Sequence, residues 1–283
     1  MKKLLVLILV LVFASSAFAA SETVNVGLLT ELNITEAEFN AYMDAALKAG
    51  LWTVFTEEEE NDTEEDDSRT ANFVFYDTLV ALQLGLNKGQ VDEIDVPEVV
   101  GRYILTANDN CKIAAMSLMS NPLMLALGFK DTKAELRDKV NAALKAMKED
   151  NTLALLIVKY LNGPDFIMTK PIEFAKFDGA ETIKVAVTGD LPPIDFIAPD
   201  GVPAGFNTAI LAEIAKRLKV NLELVNIDAN ARAAALASER ADVVLWFKVY
   251  QGAENQPDIP AGVILSDPYY SWDKFMHIKL KDK

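Results

Sequence analysis

The chain has 283 residues, 51% hydrophobic and 24% charged, so it can bury a real core and is not a disordered polymer. A net charge of −15 sets it against phosphate backbones and excludes nucleic acid as a natural partner. One cysteine, Cys111, and one histidine, His277, leave no intrachain disulfide and no Cys/His cluster for a structural metal or a haem, so neither metal nor cofactor is expected.

Lys2 and Lys3 precede an unbroken apolar run from Leu4 to Phe13, followed by Ala17-Phe18-Ala19. This pattern is that of a secretory signal peptide, residues 1–19, with cleavage expected after Ala19 and, as the second choice, after Ala20. The run is too short for a permanent membrane helix. No later apolar stretch is long enough to span, so the mature chain is expected to be periplasmic and not membrane-spanning. Loss of the two lysines makes it two charges more negative.

Strand-like apolar runs then alternate with amphipathic helical stretches, the pattern of an α/β protein with largely parallel sheets. Val24–Leu29 predicts a strand. Thr35-Glu36-Ala37-Glu38 forms a capping box before a helix with Phe39, Tyr42, Met43, Ala46 and Leu47 on one face. The acidic run from Glu57 to Asp67 predicts a solvated loop. Phe73–Phe75 predicts a strand, and Asp77 is placed to cap a helix through Asn87. Val91–Val96 is the next strand, with Pro97 in the first turn of the helix after it. Leu123–Gly128 predicts a strand, and Ala134–Lys148 and Leu153–Leu161 predict helices. Residues 164–180 lack a period and are expected to be a linker. Beyond it come strands at Ile183–Thr188, Leu222–Ile227, Ala241–Phe247, Val263–Leu265 and Phe275–Leu280. Helices are expected after Asn207, placed as a cap, and over Ala231–Arg240.

The stretch IKVAVTGDLPPIDFIAPDGVPAGFNTAILAEIAKRLKVNLELVNI, with ALASERADVV at 235–244 and LSDPYY at 265–270, resembles the opening of the family 3 extracellular solute-binding proteins, the amino-acid type of ABC-transporter binding protein. In that family this stretch comes first and builds lobe 1. Here it comes last. The segments VNVGLL and LQLGLNKGQVDEIDVPEVVGRYIL resemble lobe 2, and ELRDKVNAALKAMKEDNTLALLIVKYLNG resembles the helices that return to lobe 1. The resemblance therefore implies a two-lobed α/β periplasmic-binding-protein-like fold (type II), circularly permuted, or a fragment of a tandem pair. The expected division is lobe 2 at 20–120, a return segment at 121–163, the linker at 164–180 and lobe 1 at 181–283. One interlobe connection is expected near 118–126.

Such proteins close two lobes over a small solute, whose contacts come from loops after strands. In lobe 1 the family's carboxylate and aromatic positions fall at Thr188 and Leu191, and both differ in type from the family's. Asp190 is the substitute carboxylate or else a turn residue before Pro192-Pro193. Phe196 reads as core more readily than as crevice. In the next loop, Trp246 either stacks on a ligand or ends a buried strand, Phe247 accompanies it, and Lys248 is the nearby cation. The family's carboxylate-binding Arg falls near Glu254 and is absent. In lobe 2, Thr30, Asn33 and Glu98 are candidates; Thr35 reads as a cap, and Glu98 also suits the helix dipole. Tyr269 reads mainly as structural and also as a crevice contact. His277 and Cys111 read as packed structural residues. No catalytic residue is expected, and the chain is not expected to be an enzyme.

The function so implied is periplasmic capture of a small polar solute, an amino acid or related organic acid, for an ABC permease with its ATPase. Two alternatives stand beside it: a dehydratase-like enzyme using Glu98 or Asp190 as proton donor, and a sensor or binding module without transport.

Overall fold

A computed structural model describes residues 23–30, 71–162, 172–198, 201–250 and 259–281, except for the side chains of 118–123, 229 and 246–250. The capping box at Thr35, its helix, the acidic run and the signal segment lie outside the described residues.

The elements in chain order are β1 (Val24–Leu29), β2 (Ala71–Tyr76), α1 (Leu79–Asn87), β3 (Glu93–Pro97), α2 (Glu98–Ala107), β4 (Cys111–Lys130), α3 (Ala134–Glu149) and α4 (Thr152–Ile157). A π-helical turn, Val158–Asn162, continues α4. Then come β5 (Thr182–Val187), β6 (Asp190–Leu191), β7 (Asp195–Ile197), β8 (Pro203–Ala204), α5 (Phe206–Leu218), β9 (Asn221–Asn226), α6 (Arg232–Ala237), β10 (Val243–Tyr250), β11 (Val263–Leu265) and β12 (Tyr270–Leu280).

The main sheet has the order β2-β1-β3-β12-β4-β10-β5-β9, with β11 beside β4. Pairing is parallel within β2-β1-β3 and within β10-β5-β9. It is antiparallel wherever β4 or β12 takes part. The fold is thus mixed α/β, two parallel groups joined through two antiparallel strands. A separate small sheet, β6-β7-β8, stands after β5.

Local patterns explain most elements. Val140, Ala143, Leu144 and Met147 make the buried stripe of α3, at helical spacing. β5 alternates until Val185 and is then buried throughout, as expected of a strand covered on both faces. α1 lies close on β1 because position 27 is glycine: a Cβ there would come within 2.6 Å of the Leu82 side chain.

Several expectations are corrected. Thr78, not Asp77, caps α1; its hydroxyl accepts from the Ala81 amide at 3.1 Å, the three-residue reach a cap requires. Pro97 caps α2 and does not lie in its first turn. β4 runs 20 residues, where only Leu123–Gly128 was expected. Its first half, Cys111–Ser117, pairs with β12, some 160 residues away, so no local signal marks it. β12 does not belong wholly with the late elements, because Phe275–Ile278 pair with β3. β4 therefore runs the length of both groups, whereas β12 runs beside β3 and starts at Tyr270, level with Leu125, just short of the ends of β5 and β9. Asn207 is not a cap either: Gly205 holds that position without a side-chain bond, and Asn207 sits wholly inside the first turn of α5.

The core is continuous across the sheet, from Leu82, Ile94 and Ile104 through Leu125 and Phe129 to Leu144, Ile183 and Ile210. A smaller cluster under α6 includes Ala186, Leu236 and Val244. α3 and α4 both pack on α5, so the segment before the linker covers the elements after it.

Candidate functional site

Sheet register locates the crevice. Phe275 pairs with Pro97 on one side and with Ser117 on the other, so β3 ends level with Ser117. Leu28 pairs with both Asp95 and Phe75, which brings the ends of β1 and β2 to the same level. In the other group Val185 pairs with Val243, which pairs with Phe129, so β5 ends level with Leu127, and Asn226 of β9 pairs with Val187. The carboxyl ends of β1, β2 and β3 thus face those of β5 and β9 across residues 118–126 of β4, while β10 continues to Tyr250, level with Leu123. At about 3.3 Å per residue this leaves roughly 30 Å of strand, to be filled by the loops at those ends. Ligands of open α/β sheets bind outside the carboxyl ends of strands, where chain direction leaves loops and helix N-termini converging.

On the β5 side the first loop is built around Asp195. Its carboxylate accepts from the Thr188 amide (3.2 Å), the Thr188 hydroxyl (3.3 Å) and the Gly189 amide (3.1 Å). Burial raises the Asp195 carboxyl above its ordinary range, opposed by those donors and by the charge of Arg232. The clasped turn sends Asp190 across from Phe196 in the β6–β7 pair. Phe196 is half-buried. Asp190 Oδ1 is buried and has no hydrogen-bond partner among the described residues. α1, a helix of the opposite group capped by Thr78, packs against the β6 strand Asp190–Leu191. That helix carries no acidic residue in its first turn.

Arg232, the first residue of α6, follows the loop after β9 and belongs to the same edge. Residue-by-residue reasoning missed it, because the search for a cation was confined to the loop after β10. The signal was available: an arginine within six residues of a predicted strand end.

Leu191 is corrected: it is 2% exposed and joins the core, so it lines no crevice. Tyr269 has the structural role that is its main reading, and not the crevice contact given beside it. It is 3% exposed, and its hydroxyl donates to Asn207 Oδ1 at 2.9 Å, so its role is inside the protein. With Phe206, Tyr270 and Trp272 it forms an aromatic cluster at the start of β12. Burial pushes the Tyr270 phenol up to about 12, with the charge of Arg102 acting against it.

On the opposite side Thr30 is half-buried, and both its amide and its hydroxyl donate to the Tyr76 carbonyl, at 3.0 and 3.3 Å. It ties β1 to the end of β2. Glu98 faces Arg102 Nε at 3.8 Å in the first turn of α2. Arg102 in turn donates to the Leu161 carbonyl (2.6 Å) and to Asn162 Oδ1 (3.1 Å). This joins α2 to the end of the π-helical turn, where backbone carbonyls lack helical partners. Asn33 lies outside the described residues. Trp246, Phe247 and Lys248 belong to β10, where the pairing with β4 shifts register between Trp246 and Val249; their side chains lie outside the described residues.

Residues 183–279 match the family model of bacterial extracellular solute-binding proteins, family 3. No curated protein matches in sequence. Among solved structures, the chain is similar to a ligand-binding component of an ABC-type import system from Staphylococcus aureus, with 10% identity, 90% of this chain and 66% of that one covered, and a TM-score of 0.42. It thus spans about two thirds of that protein's length. It is also similar to a putative L-cystine ABC transporter protein from Listeria monocytogenes (13% identity, 93% and 84% covered, TM-score 0.42). A third is the periplasmic aliphatic sulphonate binding protein from Escherichia coli (8% identity, 92% and 66% covered, TM-score 0.43).

Proposed function

We propose that this chain is an extracytoplasmic solute-binding protein, which captures a small polar solute between two α/β halves and presents it to a membrane permease driven by an ATPase. The observation that carries this reading is the opposition of two sets of parallel strand ends across the 118–126 stretch of β4. The family match over residues 183–279 supports it. The signal segment, cleaved after Ala19, delivers the chain to the periplasm.

Asp190 and Arg232 give the site its two charges. The unpartnered oxygen of Asp190 suits an ammonium group. A guanidinium at Arg232 suits a carboxylate, and would replace the arginine absent near 254. The solute is then a zwitterion of amino-acid type, withdrawn from water when the halves close and each polar contact strengthens.

The halves correspond to permuted lobes. By register, Val24 at the start of β1 and Lys281 just past β12 both lie level with Val91. Only β3 separates them, which places the two ends about 10 Å apart across two strand spacings. A chain running from β12 into β1 would need only a short connection there. This supports an ancestral order cut between those strands and rejoined through the linker at 164–180.

Calorimetric melting against a panel of amino acids, their decarboxylated amines and their deaminated acids tests the reading. Zwitterions are expected to raise the Tm, amines and acids much less. A panel without effect at millimolar concentration overturns solute capture. A response to amines alone overturns the role of Arg232.

A further inference from the structure

Arg102 lies in the second turn of α2, and α2 packs on β3, β12 and β4, with the group of β1, β2 and β3. One nitrogen of its guanidinium, Nη2, donates to the Leu161 carbonyl at 2.6 Å and to Asn162 Oδ1 at 3.1 Å. Those two acceptors end the π-helical turn that continues α4. α4 belongs to the other group, because it packs on α3 and α5. At its start, Arg217 of α5 donates to Asp150 Oδ2 at 2.8 Å and to Thr152 Oγ1 at 3.0 Å. The rod from Asp150 to Asn162 is therefore clamped to its own half at one end and held from the opposite half at the other.

The guanidinium has a second set of acceptors nearby. Glu98, one turn earlier on α2, lies 3.8 Å from Arg102 Nε, beyond hydrogen-bond distance. A glutamate and an arginine four apart on one helix close to a full ion pair by a change of rotamer alone. Their side chains are 34% and 30% exposed, so burial locks neither. The carbonyl that Arg102 would release stands at a helix end, where backbone oxygens without a helical partner turn to water. In the observed geometry Arg102 reaches the far acceptors and stops short of the near one. We infer that Arg102 is a latch between the halves: fastened to Leu161 and Asn162 it holds α2 to the end of α4, and withdrawn onto Glu98 it lets the halves part.

The latch rests on the reading of two halves that close over a solute, and it adds a residue that sets affinity from outside the solute's own contacts. A solute that binds only the joined halves loses apparent affinity in proportion to the time they spend apart. One hydrogen bond from a charged group shifts such an equilibrium by roughly tenfold. The pair stands beside the start of β12, at the seam between the halves: burial raises the Tyr270 phenol, with Arg102 acting against that and Glu98 acting with it. The π-helical form of the turn fits this role, since single π turns are rare and recur at working parts of proteins.

Small-angle X-ray scattering of the whole protein, without solute, tests the latch. Arg102→Met keeps the aliphatic stem and removes the donors. Its radius of gyration is expected to rise, and its affinity for the solute found by calorimetry to fall roughly tenfold. Asn162→Ala removes one acceptor at an exposed position and is expected to act in the same direction, more weakly. It decides the matter if Arg102→Met loses its helical circular dichroism. Glu98→Gln weakens the competing pair and is expected to tighten affinity about twofold with no rise in radius. In the Arg102→Met background the same change is expected to do nothing. An unchanged radius in the folded variants overturns the latch whether or not any solute binds, and so does a Glu98→Gln effect that survives loss of Arg102. A solute panel without effect overturns capture alone, because the scattering arm needs no solute.

Discussion

The Tyr269 hydroxyl donates to the Asn207 carboxamide oxygen over 2.9 Å, with both side chains inside the protein. The bond joins the lead-in of β12 to the first turn of α5, two segments 62 residues apart. It thereby fixes β12 to the helix that follows the Asp190 loop. Tyr269→Phe removes the donor and leaves a buried carbonyl oxygen unmet. The expected cost is about 1–2 kcal/mol in urea unfolding, with no change in m-value. Burial also raises the Tyr269 phenol far above its ordinary range. Its contribution is therefore present below about pH 10 and lost as pH rises beyond it. Absorbance titration is expected to show this phenol ionising only as the protein unfolds.

Asp190→Asn separates binding from folding. The buried, unpartnered oxygen of Asp190 gives the fold nothing that an amide would not. Thermal stability is expected to stay level or rise. Affinity for the solute found by calorimetry is expected to fall about ten- to a hundredfold, the effect of losing a charge-assisted hydrogen bond. Equal losses of stability and affinity would give Asp190 back to the turn.

Gly205 enters α5 with φ +101°, and a Cβ there would come within 2.8 Å of the backbone oxygens of Pro193 and Ile194. Those carbonyls accept from the Phe206 and Asn207 amides, so the turn cannot retreat without losing the helix start. Gly205→Ala is expected to cost more than about 2 kcal/mol in chemical denaturation.

Asp150 holds the start of α4. Its carboxylate accepts from the Thr152 amide at 3.0 Å and from Arg217 at 2.8 Å, and these bonds, those to Thr152 foremost, hold its carboxyl at about 2. A lowered folded value means stability present above the ordinary range near 4 and lost as pH falls through about 2. Acid unfolding followed by circular dichroism is expected to lose part of its slope in that window in Asp150→Asn.

Period and composition carried the alternation of strands and helices, the stripe of α3 and the strands β5 and β9, because each depends on neighbours within one or two turns of chain. The order of the late motifs likewise pointed to residues 183–279, where the family model matches. The site was legible only as a place, the loops after strands. Leu191 looks like a crevice residue by position, yet it is interior, 2% exposed and paired with Asp195 of β7. Arg232 follows a predicted strand end, but only the parallel pairing of β9 with β5 places it on the same edge as Asp190.

The sequence alone determined the kind of elements, since burying one face of a helix or strand is a local requirement written at fixed spacing. Tertiary structure alone decided which elements meet: that β4 extends through 20 residues, that β12 ends in the first group, and that one histidine stands between two acids. Those outcomes depend on hydrogen bonds and charges brought together from segments up to about 180 residues apart, and spacing along the chain carries no record of such distances.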